Sequence, residues 1–105
     1  MTIHRISNVI DGKKINGYML TGWQKVNGKW YYMDPTSGEM LTGWLKYDGE
    51  RYFLNASTGA MVTGWQKISG KWYFFEPSGV MIHDTTRVIN GKSYTFDGNG
   101  VCVNP

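Results

Sequence analysis

Cysteine occurs once in this chain, at Cys102, which excludes an intrachain disulfide. Alanine and leucine are scarce, which argues against a helical bundle with a broad aliphatic core. No apolar run approaches the roughly 18 residues that a membrane-spanning helix needs. The opening stretch MTIHRISNVIDG lacks the apolar region of a signal peptide, so an export signal is expected elsewhere if the parent protein is secreted. Neither sign of charge dominates. The 11 basic and 8 acidic residues are interspersed and leave a net charge of +3, which excludes a polybasic tail or the usual nucleic-acid stripe. His4 and His83 have no cysteine or histidine partner at metal spacing. No nucleophile–base arrangement or phosphate loop is present. We therefore expect no enzyme, no metal and no cofactor.

What the chain does have is aromatic residues, 15 % of the total, and 14 glycines spread along its length. The aromatics recur. TGWQKVNGKWYYM returns as TGWLKYDGERYFL and as TGWQKISGKWYFF, with Thr-Gly-Trp beginning at 21, 42 and 63. Aligned on this ruler, the copies form columns: Trp23, Trp44 and Trp65; Gly28, Gly49, Gly70 and Gly91; Tyr31, Tyr52, Tyr73 and Tyr94. A fourth column holds Asp34, Asn55, Glu76 and Asp97, where short polar side chains suit a turn. A fifth holds Met19, Met40, Met61, Met81 and finally Cys102. Methionine fills irregular gaps well, and Cys102 in that column reads as a packing residue.

Repeats of this length predict small stacked units with no single central core. Each unit reads as a β-hairpin: Asn27-Gly28, Asp48-Gly49 and Ser69-Gly70 are two-residue turns between short β-prone runs. Pro35 and Pro77 stop the strands, and Gly38, Gly59, Gly79 and Gly100 can supply positive φ in the loops that follow. A lone hairpin is marginal in water, so the units must stack, and the end units must cap the stack. The fold class predicted is all-β, a solenoid of stacked hairpins with about three full repeats of about 21 residues. One module over 1–105 is expected: a degenerate cap at 1–21, full repeats at 22–42, 43–63 and 64–84, and a second degenerate cap at 85–105.

A two-residue turn at Asn27-Gly28 sets Trp23 opposite Tyr32, Gln24 opposite Tyr31 and Lys25 opposite Trp30. Trp23, Lys25, Trp30 and Tyr32 then share one face, while Gln24, Val26, Lys29 and Tyr31 share the other. The two tryptophans are diagonal neighbours and can form a corner. Each junction can join two tryptophans of one unit with the tyrosine of the next, near a methionine of the intervening loop. A box of π faces suits a quaternary ammonium, held weakly in each box, roughly in the millimolar range, and more firmly by several boxes on a repetitive polymer. Plain packing between units is the competing account of the rings.

The stretch GWQKVNGKWYYMDPTSGEM resembles the choline-binding, or cell-wall-binding, repeat of Gram-positive surface proteins and phage lysins. The resemblance spans about residues 19–84, and the ends more weakly. It implies a left-handed superhelix of hairpins and loops, with choline or phosphocholine of teichoic and lipoteichoic acids at the junctions. It also implies an extracellular anchor at the bacterial cell surface, and terminal repeats able to pair two chains as a homodimer. Carried over by position, one site comprises Trp23, Trp30 and Tyr52 with Met40, and another Trp65, Trp72 and Tyr94 with Met81. A doubtful site comprises Trp44, Arg51, Tyr73 and Met61, because a guanidinium repels a trimethylammonium group. We expect it to be empty of choline or altered. Thr85 or Thr86 and Ser93 stand where the last copy would need tryptophan, so no site is expected there.

The row Lys25, Lys46, Lys67 and, nearly in phase, Arg87 lies on the same face. These cations can lie over the rings with their heads in water or meet the phosphate of phosphocholine. Sequence leaves both open. It also leaves a carbohydrate-binding repeat as the alternative, with Arg51, Gln24, Gln66 and the lysines as hydrogen-bonding groups, and a structural spacer as a third reading.

Overall fold

The computed structural model describes strands Val9–Ile10 and Lys13–Lys14 and residues 20–105. Most of the expected cap at 1–21, with His4 and Met19, lies outside the described residues. The strands are β1 (Val9–Ile10), β2 (Lys13–Lys14), β3 (Gly22–Val26), β4 (Lys29–Met33), β5 (Gly43–Tyr47), β6 (Glu50–Leu54), β7 (Gly64–Ile68), β8 (Lys71–Phe75), β9 (Thr85–Ile89) and β10 (Lys92–Phe96). Each pairs with its sequence neighbour in a two-stranded sheet. The predicted run of successive hairpins is what the chain forms, and no helix occurs among the described residues.

The register is the one that the turns dictate. Trp23 pairs with Tyr32, Gln24 with Tyr31 and Lys25 with Trp30; Trp65 pairs with Phe74 and Lys67 with Trp72. Both central residues of each turn have positive φ, at Asn27 (53°) and Gly28 (80°) and again at Ser69 (52°) and Gly70 (79°). That is the turn whose twist matches a right-twisted strand pair.

After each hairpin the chain folds back. Met40, Met61, Met81 and Cys102 make single antiparallel bridges to Met33, Leu54, Phe75 and Phe96, the last residues of β4, β6, β8 and β10. The loops close on the polar column. Asp34 Oδ1 accepts the N–H groups of Thr36 and Ser37 at 2.8 and 2.9 Å, and Asn55 Oδ1 does the same for Ser57 and Thr58. Asp97 Oδ1 takes Asn99 and Val101. Glu76 has a longer side chain and differs: its carboxylate receives Arg87 at 3.2 Å.

The same loop residues reach the hairpin before their own. Met61 N–H donates to the Trp30 carbonyl, Met81 N–H to that of Arg51 and Cys102 N–H to that of Trp72, each at 2.8 Å. The Met-type position of one repeat is thereby tied to the second-Trp position of the preceding repeat.

The chain divides into two compact units, Met1–Leu45 with Phe53–Met61, and Lys46–Tyr52 with Val62–Pro105. In the first, Tyr31 and Met33 are fully buried, with Leu20, Val26, Met40 and Ala60 against them. In the second, Ile82, Phe96 and Cys102 form the centre, packed by Trp65, Trp72, Phe74, Ile89 and Tyr94. The first centre mixes one ring, Tyr31, with aliphatic and thioether side chains, whereas rings predominate in the second.

The last hairpin keeps the register without the tryptophans. Thr86 pairs with Thr95 and Ser93 with Val88, so Thr86 rather than Thr85 takes the first-Trp position. Its hydroxyl meets that of Thr95 at 3.0 Å. Asn104 closes this end, accepting the Thr95 N–H at 2.8 Å and donating to the Ser93 carbonyl at 3.2 Å.

Two outcomes follow for the loops. Gly59 has φ +79°, and a Cβ there would lie 2.7 Å from the Met40 sulfur. The thioether can shift, so the left-handed backbone carries most of the penalty, and Gly59→Ala is expected to destabilise by about 1–2 kcal/mol in denaturant unfolding. The N–H groups of Ser37 and Thr36 hold the Asp34 carboxyl below its usual 3.8. A lowered folded pKa gives stability that is present above the unfolded value and lost as pH falls through the folded one. Asp34→Asn, which copies the Asn55 loop, should flatten that acid-side decline in thermal melts. An unchanged acid slope would show that the carboxylate contributes nothing.

Candidate functional site

The second unit carries one complete ring set. Trp65 and Trp72 project from β7 and β8 on one face because their register positions are diagonal. Their ring centroids are 6.2 Å apart at 84°. Tyr94, from β10, approaches Trp65 to 4.8 Å at 70°. Phe74 supports Trp65 from behind at 5.2 Å, and Phe96 lies 5.7 Å away, tilted by 30°. Trp65 thus meets four rings, whereas Trp72 meets only that of Trp65 among the described residues. Trp65, Trp72, Tyr94 and Pro105 line a cavity of about 360 Å³. The three predicted ring residues are brought together. Pro105 is a lining residue that no repeat column foretells, because it belongs to no column.

The corner recurs in the first unit. Trp23 and Trp30 stand 6.4 Å apart at 88°, and Tyr32 supports Trp23 at 5.1 Å and 70°. Tyr52, assigned to this pair from sequence, belongs to the other compact unit. Burial pushes its phenol above the usual 10, with Glu50 adding to the shift. In the middle repeat Trp44 keeps its support, with Phe53 at 5.1 Å and 73°, but Arg51 replaces the second ring. Trp44 belongs with Met61 to one unit, Arg51 and Tyr73 to the other.

The backbone bonds tie Met61, Met81 and Cys102 to the hairpin preceding their own. Met81 is not among the residues lining the Trp65, Trp72 and Tyr94 cavity. Its N–H is held by the Arg51 carbonyl, and the residue bound to the Trp72 carbonyl is Cys102. Likewise the Trp30 carbonyl takes Met61, while Met40 packs with Tyr31 and Met33. Each of these loops thus reaches back through the main chain to the hairpin before its own.

The lysine row has a definite place in the two intact hairpins. Lys25 Nζ lies 5.8 Å from the Trp30 ring centre, and Lys67 Nζ lies 6.0 Å from that of Trp72. Each lysine covers its own tryptophan, as a cation over a π face.

A cavity walled by two indoles and a phenol, backed by further rings, offers π faces and few hydrogen-bonding groups. It can hold a compact cation and exclude an anion. By fold and site the chain is a hairpin-repeat binding module with aromatic ligand cavities. The family model for the choline-binding repeat matches it over residues 8–43, 20–64 and 62–103, and the chain belongs to that family.

Among solved structures, choline-binding protein F of Streptococcus pneumoniae is 45 % identical, with a TM-score of 0.76 over 82 % of this chain and 28 % of that one. The chain thus spans little more than a quarter of that relative. The choline-binding domain of Spr1274 from Streptococcus pneumoniae is 38 % identical, with a TM-score of 0.69 over 81 % of this chain and 96 % of that one. The pneumococcal cell wall endolysin from phage Cp-1, solved with choline, is 28 % identical, with a TM-score of 0.56 over 81 % of this chain and 31 % of that one. No curated protein sequence matches the chain significantly.

The ring geometry separates the two tryptophans of the second unit. Trp65→Ala removes a ring in contact with Trp72, Phe74, Tyr94 and Phe96, and should lower unfolding stability by about 3 kcal/mol or more. Trp72→Ala should cost clearly less. Equal losses in denaturant titrations would contradict this division of roles.

Proposed function

We propose that the Trp65, Trp72 and Tyr94 cavity binds the trimethylammonium group of choline, and that the module anchors a parent protein to choline-bearing teichoic or lipoteichoic acid. The observation that carries this reading is the perpendicular pair of indoles closed by a phenol at 4.8 Å. Such a group needs no hydrogen-bond partner, and ring faces attract it at about 0.5–1 kcal/mol each at exposed sites. The Phe74 and Phe96 contacts hold Trp65 before any ligand arrives, so little ordering is left for binding to require. Family membership supports the ligand class, and the endolysin solved with choline supports it for that relative.

The role is one of binding without a reaction step. A catalytic or adhesive activity, where the parent has one, belongs to another part of it. The module acts outside the cell, at a Gram-positive surface, as one contact in a multivalent attachment. Its weak single sites gain from the repetition of the polymer. Lys67 above Trp72 has to move aside or share the ring when the ligand enters. That favours phosphocholine over free choline, since the phosphate can take the displaced ammonium.

Titration with choline, followed by calorimetry and tryptophan fluorescence, tests the reading. Saturable binding in the millimolar range is expected, with a rise in melting temperature. Trp72→Ala should remove one bound choline and leave the remaining binding unchanged. No response to choline, with saturable binding of an oligosaccharide, would replace this reading by the carbohydrate one.

A further inference from the structure

The middle repeat breaks the ring pattern, and what stands in its place has the opposite chemistry. In the hairpins on either side, the lysine of the row lies over the second tryptophan. In β5–β6 that slot holds Arg51. The Asp48-Gly49 turn, with positive φ at both residues (51° and 80°), sets Lys46 opposite Arg51 just as Lys67 is set opposite Trp72. Two cations directly across a strand pair repel each other. Neither has an ion-pair partner among the described residues. Lys46, Gly49, Arg51, Met81, His83 and Gly98 line a cavity of about 180 Å³.

We propose that this cavity binds a phosphate oxyanion. The planar guanidinium of Arg51 can grip two oxygens as a fork, and the Lys46 ammonium supplies a compact second charge. The Arg51 carbonyl fixes Met81 through its N–H at 2.8 Å, and Met81, only 3 % exposed, makes a dry wall that strengthens the charges beside it. Gly49 has nothing within 4 Å of where a Cβ would lie, which leaves that wall open. His83 stands at the rim. Its Nδ1 is 3.2 Å from Asp84 Oδ2, a carboxylate that is 70 % exposed and already engaged with the imidazole. Asp48 and Glu50 flank Gly49 and Arg51 in sequence, and the cavity lined by Glu50 and Glu76 adjoins this one through Met81 and His83. Arg87 also lines that neighbouring cavity, where Glu76 holds it at 3.2 Å. The site goes beyond the choline reading and does not depend on it. The ring cavity selects a cation and this one an anion, so the two are read independently.

The test is an NMR titration of the full chain at constant ionic strength with two probes, inorganic phosphate and dimethyl phosphate. Saturable shifts are expected at the Gly49 amide, the Arg51 guanidinium and the His83 ring, with choline added to the same sample still quenching tryptophan fluorescence. A response to inorganic phosphate alone assigns a terminal phosphate, and a response to dimethyl phosphate assigns a diester within a polymer chain. Arg51→Gln should weaken the response about tenfold or more, the worth of a charge-assisted hydrogen bond. Lys46→Gln, away from the loop contact to Met81, repeats the test if Arg51→Gln does not fold. The absence of a saturable response to either probe, or an affinity unaffected by both substitutions, overturns the proposal.

Discussion

One recurring backbone hydrogen bond ties successive repeats together: the N–H of Met61, Met81 or Cys102 donates to the carbonyl of the second-Trp position one repeat earlier. The 2.8 Å bonds from Met61 to Trp30, Met81 to Arg51 and Cys102 to Trp72 are the same contact made three times. A two-stranded hairpin cannot bury its own faces and is marginal alone. This bond ties in a loop from the following repeat. Because it uses only main-chain atoms, it survives when the side chains change. It holds with tryptophan or arginine as acceptor residue, and with methionine or cysteine as donor.

That independence lets one scaffold carry different chemistry at equivalent places. Around Trp65 and Trp72 the slot offers π faces. At Arg51 the same slot offers a positive charge beside Lys46. In the last hairpin it holds Ser93, and Thr86 and Thr95 bond to each other where a tryptophan would stand against an aromatic ring. The antiparallel pairing recurs while the side chains change, so the chemistry each slot offers is set by side chains alone.

Packing and binding share the aromatic residues unequally. Trp65 is gripped by Phe74, Tyr94 and Phe96 and belongs as much to the core as to the cavity. Trp72 gives one edge to Trp65 and a face to Lys67. The contest between mortar and ligand box has no single answer across the repeat. Both tryptophans pack against the second unit's centre, but the first meets four rings and the second one. The same division holds in the polar column, where Asp34, Asn55 and Asp97 close their loops and Glu76 holds Arg87 instead.

Strand ends, turn positions, register and the face of each tryptophan were legible in the sequence because all are local. A two-residue Asn-Gly or Asp-Gly turn and the period-two alternation of strands determine them within about ten residues. The family was legible in the recurrence of the tryptophan and tyrosine columns. Which hairpin each of Met61, Met81 and Cys102 bonds to was not, since these positions are equivalent in sequence and only the backbone bond across repeats ties each to a hairpin. The lysine row was equally undecided until Lys25 and Lys67 were seen above their own tryptophans. The Pro105 wall was invisible to a repeat ruler. Sequence alone determined what each hairpin looks like and which residues it presents. Tertiary structure decided which loop meets which hairpin, because that pairing rests on main-chain groups that every residue except proline possesses and that no side-chain pattern can mark.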